Sequence, residues 1–226
     1  MTKRFLFVGL LATCGMAWSF LNMLTGCNLA GGAYPEKGGP KFLIEHGFSE
    51  LLAERVVQGD PLEPTELESL GKLRDQNVRF LLARNPHLPP RVIDRFVRDR
   101  DDFVRSGTAQ NPSLTEQNIE ALMNDFSHTV LIGLASNPIL TDERQVRLHR
   151  LDRIGLVYFA MNPNCAKTLR DAILRSEDSD AKYWLKVTGD WIEQGIFAKG
   201  SDGRWKRNRI SHSARVLTSA QSAFHD

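Results

Sequence analysis

Apolar residues return at three- and four-residue intervals along most of the chain. Phe42, Leu43, Phe48, Leu51, Leu52, Val56 and Val57 open the pattern, and Gly59-Asp60-Pro61 interrupts it. Ile93, Phe96 and Val97 continue it, followed by Ile119, Leu122 and Met123, by Val146 and Leu148, and by Leu169, Ile173 and Leu174. This spacing puts one apolar stripe on each of a series of short amphipathic helices. Polar breaks near 99–102, 124–128 and 176–180 then lead into second helices, which carry Val78, Val104 or Val130 seven residues ahead of an asparagine.

The helix ends repeat. Ala-x-Asn-Pro occurs four times, as Ala83, Asn85 and Pro86; Ala109, Asn111 and Pro112; Ala135, Asn137 and Pro138; and Ala160, Asn162 and Pro163. The Asn-Pro steps begin at 85, 111, 137 and 162, a spacing of 26, 26 and 25, and Asp60-Pro61 stands 25 residues earlier as a degenerate copy. A period of this size marks stacked supersecondary units. The residue before a proline is pushed out of the α region, so each Asn-Pro ends a helix. A leucine follows in three copies (Leu88, Leu114, Leu140), with Cys165 in the fourth slot. Thr115 and Thr141 suit N-caps and Pro90 suits a first helical turn. The recurrent alanine, lacking bulk, lets neighbouring helices approach and is read as a packing position. The predicted class is all-α: an α-solenoid of about five 25–26-residue repeats over 42–198, starting at 60, 85, 111, 137 and 162, with Trp184 to Phe197 as a C-terminal cap.

Ala-x-Asn-Pro, the leucine spacer, the two helices and the period together resemble the leucine-rich repeat variant family over 60–187. The resemblance implies a right-handed superhelix of alternating short helices, similar in style to HEAT arrays. It implies an architecture rather than an activity. One kind of member carries a cysteine-ligated iron–sulfur cluster ahead of its repeats. No cysteine group stands there in this chain, so no cofactor is expected.

The N-terminus carries a different signal. Lys3 and Arg4 precede an uncharged run from Phe5 to Leu24, the n-region and h-region of a secretory signal. Leu24-Thr25-Gly26-Cys27 resembles the lipobox of bacterial lipoproteins. That implies removal of residues 1–26 as a signal peptide and lipidation of Cys27. An uncleaved anchor helix is the alternative, since the run is also long enough to span a bilayer. Residues 27–41, with Pro35, Pro40 and several glycines, form a flexible tether. Both readings put the body outside the cytoplasm. The expected location is the bacterial envelope, at the outer membrane facing the periplasm given Asn28 after the cysteine, or at the inner membrane if the helix is retained. Cys165 would be the only other cysteine of the mature chain, so no intrachain disulfide is available.

Charge and motif content narrow the chemistry. The full chain has 29 basic and 27 acidic residues, a net +2, too balanced to indicate nucleic acid. Removing Lys3 and Arg4 with the signal leaves the mature body neutral. The six histidines form no H-E-x-x-H and no close Cys/His pair, and neither a phosphate loop nor a nucleophile elbow occurs. Glu45-His46 near Ser49 reads as a solvated helix start. Neither metal nor small-molecule substrate is expected.

Most charges alternate in sign, as on a solvated face. Residues 111–136 differ, with Glu116, Glu120 and Asp125 and no Lys or Arg. Residues 199–226, with Lys199, Arg204, Lys206, Arg207, Arg209 and Arg215 against Asp202 and Asp226, are read as a basic, disordered tail. The functional expectation is a lipid-anchored lipoprotein that binds another protein and is not an enzyme, as a scaffold or accessory subunit of an envelope assembly. An immunity protein that neutralises a toxin such as a membrane-active lipase is the alternative, and a hydrolase built from His and acidic residues of different repeats is a third. The candidate binding strip on the first helices is Arg91, Arg95, Glu116, Glu120, Arg144 and Arg147.

Overall fold

A computed structural model describes residues 41–151 and 154–207. Among them are twelve helices and one two-stranded sheet, so the described protein is all-α apart from a single hairpin. The proposed signal peptide, its lipobox at Cys27, all of the tether but Lys41, and residues 208–226 lie outside the described residues. Two compact units divide the chain, the first ending at Pro89 and the second beginning at Pro90.

The first unit contains α1 (Lys41–Glu45), α2 (Glu50–Gln58), α3 (Pro64–Gly71) and α4 (Gln76–Ala83). Its helix ends are set by local chemistry. The Ser49 hydroxyl accepts the Leu52 N–H at the start of α2, and Asp75 accepts from Asn77 and Val78 at the start of α4. Gly59 closes α2 at φ 70°, a left-handed conformation that side chains bearing a Cβ avoid. Leu43, Val56, Leu70, Val78, Phe80 and Leu82 form the core.

The second unit holds four helix pairs: α5 (Pro90–Val97) with α6 (Asp102–Ala109), α7 (Glu116–Met123) with α8 (His128–Ala135), α9 (Asp142–Arg150) with α10 (Leu156–Ala160), and α11 (Lys167–Arg175) with α12 (Ser179–Glu193). The hydroxyls of Thr115 and Thr141 accept the N–H groups of Asn118 and Arg144, starting α7 and α9. Asp101 and Asp178 cap α6 and α12 in the same way. The second helices α6, α8 and α10 end on Ala109, Ala135 and Ala160, all fully buried. Successive second helices pack more closely than successive first helices. At α6 and α8 the reason is visible: a Cβ added to Gly133 would lie 2.7 Å from the Ser106 carbonyl oxygen and 3.3 Å from the Ala109 Cβ.

The last helix departs from the pattern. Thr188 stands 26 residues after Asn162, with Gly189 where the other repeats have proline. Without proline α12 runs on to Glu193. Its Trp184 and Trp191, with Phe197, are buried and stack at 6.2 and 6.5 Å between ring centroids.

Strands β1 (Phe197–Lys199) and β2 (Trp205–Arg207) then pair antiparallel, with Lys199 opposite Trp205. This corrects the reading of 199–226 as disordered throughout, because residues 199–207 are folded. Charge content suggested a solvated tail, but the loop is closed by Gly200 N–H donating to the Arg204 carbonyl at 2.8 Å and by an Asp202–Lys206 ion pair. The strongest partners of the hairpin lie far upstream in the chain and are described below.

Candidate functional site

The repeated asparagines are tightly constrained polar groups. Asn85, Asn111, Asn137 and Asn162 are all buried. Each Oδ1 accepts the N–H two residues on, from His87, Ser113, Ile139 and Asn164 at 2.8, 2.8, 3.1 and 2.8 Å, which shapes the turn after the helix. In Asn85, Asn137 and Asn162 the Nδ2 reaches backward by one repeat. Asn137 donates to the carbonyls of Ala109 and Asn111 at 2.7 and 3.0 Å, and Asn162 to those of Ala135 and Asn137 at 3.0 and 2.8 Å. In the first unit Asn85 donates to the Asp60 carbonyl at 2.8 Å, so the degenerate Asp60-Pro61 presents the same acceptor. A buried amide must satisfy both its ends, and here each end serves stacking. The motif is architectural.

The candidate strip divides in two. Glu116 and Glu120 on α7 meet Arg144 and Arg147 on α9: Arg144 bonds Glu116, its Nε lies 3.3 Å from Glu120, and Arg147 Nη1 lies 2.9 Å from Glu120. The acidic surplus of residues 111–136 is thus compensated by the next repeat. The bond from Arg144 holds the Glu116 carboxyl below its ordinary value, and Arg147, then Arg144, do the same for Glu120. Arg91 and Arg95 are exposed on α5, with no ion pair among the described residues. A second link joins the pairs at Arg105, which grips Asp125 through two bonds at 2.7 and 3.0 Å, both side chains mostly buried. Asp125 raises the Arg105 guanidinium further above neutrality.

The remaining reactive groups have local roles. Cys165 is buried, and burial pushes its thiol up to about 11, so it is neutral and non-nucleophilic at physiological pH. Ser49 caps α2, while His46 Nδ1 contacts the Phe42 carbonyl at 2.6 Å. His149 Nδ1 lies 3.3 Å from the Ile154 carbonyl, and His128 packs edge-on to Tyr158. Among the described residues no group of three or more His, Cys, Asp or Glu is placed to hold a metal, and no helix is long and apolar enough to cross a membrane.

The hairpin is fastened to the Asn-Pro turns by groups the sequence reading left unassigned. Asn164 Oδ1 accepts the Trp205 N–H and its Nδ2 donates to the Trp205 carbonyl, both at 2.8 Å, so one side chain pairs with β2 as a strand would. The same Nδ2 reaches the Pro138 carbonyl at 2.8 Å. Arg204 donates to the carbonyls of Pro138 and Leu140 at 3.0 and 2.8 Å. Buried Gln145 bridges Leu140, Asn164 and Ala166 beneath them. Where the hairpin crosses the start of α11 it leaves a concavity of about 240 Å³. Compared with known protein families, curated proteins and solved structures, the chain gives no match.

Proposed function

We propose that the repeats beginning at 60, 85, 111, 137 and 162 wind into one right-handed α-solenoid that binds another protein outside the cytoplasm, held at a bacterial membrane by a lipid on Cys27. The protein acts as a scaffold or accessory subunit of an envelope assembly and not as an enzyme. The observation that carries this reading is the backward-reaching asparagine row, in which the turns at Asn137 and Asn162 are each hydrogen-bonded to the one before. Growth by one turn per period builds a long surface rather than an enclosed pocket. The closer approach of second helices supports a curved stack with those helices on the inner side. That side presents Thr129 and Tyr183 as exposed and Ile132 and Val157 as half-buried residues. The ion-paired strip on α7 and α9 then belongs to the outer side, where it braces neighbouring repeats.

Two measurements test the reading. Labelling with a palmitate analogue in a bacterial host is expected for the wild type and lost in Cys27→Ala; equal labelling refutes the lipid anchor. Crosslinking in envelope extracts is expected to trap a protein that Thr129→Arg and Tyr183→Ala no longer trap while their unfolding midpoints stay unchanged. Undiminished trapping by both variants would remove the inner face from consideration.

A further inference from the structure

We propose that the concavity between the hairpin and the start of α11 binds a phosphate-type oxyanion. Its wall carries Arg170, Lys199 and Arg204, with Trp205 beside them and Asp142 as the one carboxylate. Pairing sets these cations apart from their neighbours. Lys167 is tied to Asp171 at 3.1 Å and Lys206 to Asp202 at 2.9 Å. Among the described residues Arg170, Lys199 and Arg204 make no ion pair; their partners are all neutral. Arg204 donates from Nε and Nη2 to the Pro138 and Leu140 carbonyls, and Arg170 donates from Nη2 to the Cys165 carbonyl at 3.4 Å. Lys199 Nζ lies 5.9 Å from the centroid of the Trp205 ring. Carbonyl contacts fix a guanidinium without cancelling its charge, and they leave Nη1 of both arginines available for another acceptor.

Three cations against one carboxylate leave an excess of two positive charges at one concave spot. That matches a phosphomonoester dianion better than a single carboxylate. Guanidinium forks and an ammonium point charge are the groups that recognise phosphate oxygens. The volume suits a phosphate with a small substituent, and the open side admits one that stays attached to something larger. The shared chemistry is a phosphomonoester, free or presented as a lipid headgroup. The inference does not depend on the protein-binding role proposed above.

The test uses the full chain in neutral detergent micelles at low ionic strength. Calorimetric titration with inorganic phosphate and glycerol 3-phosphate reports the free ligand. Micelles doped with phosphatidic acid, against phosphatidylcholine, report the headgroup. Arg170→Gln with Lys199→Gln leaves Arg204 and the hairpin anchor in place and is expected to weaken binding by about tenfold or more. Lys199→Gln alone serves as the second variant should the double one lower the unfolding midpoint. Binding of the soluble probes that the variant loses supports a free phosphomonoester, and binding confined to phosphatidic acid that it loses supports a headgroup. Absence of binding in every arm, or binding that both variants retain, overturns the proposal.

Discussion

Thr188 donates its hydroxyl to the Ala160 carbonyl at 2.9 Å, across 28 residues of chain. Ala109 and Ala135 offer the same carbonyl to an asparagine of the next repeat. In α12 a threonine serves instead, its single O–H shared with the Trp184 carbonyl of its own helix, also at 2.9 Å. The row of bonds therefore closes on a residue of a different type, inside a helix that does not stop there. Thr188→Val keeps the shape and removes the donor, so a loss of about 1 kcal/mol is expected in urea unfolding. An unchanged midpoint would mean that the Ala160 carbonyl is satisfied without it.

Asn137 makes three hydrogen bonds from a fully buried amide. Asn137→Ala should cost roughly 3 kcal/mol or more, because two carbonyls and one N–H lose their partner together. Asn137→Asp is the sharper test. A carboxylate facing the Ala109 and Asn111 carbonyls is repelled, whereas its protonated form can donate to one of them. Burial raises the folded-state pKa of that aspartate above its unfolded value, so the variant should be most stable at acid pH and lose stability as pH rises through the folded value. Chemical denaturation of both variants across the pH range reads this directly, and a pH-independent difference from wild type would contradict it.

Gly133 separates two effects that usually oppose each other. In an ordinary helix interior Gly→Ala stabilises by about 1 kcal/mol. Here the new methyl meets the Ser106 backbone oxygen, which cannot rotate away. Gly133→Ala is expected to destabilise by about 1–3 kcal/mol, with Ala109→Phe at least as severe. A gain in thermal midpoint for Gly133→Ala would show that α6 and α8 do not touch at this point.

The Glu116, Glu120, Arg144 and Arg147 network predicts an acid-side signature. Both carboxyls titrate below their ordinary value when folded. Their contribution is therefore complete above the unfolded carboxylate pKa and is lost as pH falls through the folded one. Replacing both glutamates by glutamine should lower the midpoint slightly at neutral pH and flatten the fall toward acid. Reversing both to lysine should lower the neutral midpoint further, since it sets four cations together. The effects are small because the carboxylates are solvent-facing. Parallel denaturation at neutral and acid pH, with added salt as a control, checks the sign.

Cys165 supplies a chemical reporter of the fold. With its thiol near 11 and no exposed surface to speak of, it should resist iodoacetamide at neutral pH until the last repeats open. Peptide mapping after timed alkylation measures this, and labelling as fast as in urea would place the thiol at the surface.

Much of the helical arrangement was legible in the sequence because its signals are local. Apolar spacing locates the first helices, and Asn-Pro locates the ends of the second ones. Thr115 and Thr141 announce helix starts by chemistry alone. The asparagine was readable as punctuation but not as a donor, since its acceptors are 25 to 28 residues away and depend on which turns stack. Position 188 was invisible for a related reason: a threonine followed by glycine bears no likeness to Asn-Pro, and only counting 26 residues from Asn162 exposes it. The hairpin was hidden behind charge composition, since the position that anchors it varies freely, with His87, Ser113 and Ile139 standing where the last repeat has Asn164. The strip residues were selected as outward-facing charges, and pairing between Glu120 and Arg147 needed the register of two helices to be known.

The asparagine bonds all point one way along the chain. A segment such as 112–137 brings the Asn137 donor for the turn behind it and the Ala135 and Asn137 carbonyls for the turn ahead, so a copied segment would fit between its neighbours with every such group matched. Its acidic first helix would face a second acidic helix, and that mismatch is the first thing such a copy would have to mutate. Copy number in the interior is thereby open to gain and loss over evolutionary time. The final segment is not interchangeable, because Thr188 and the hairpin behind it are made for the end of the row.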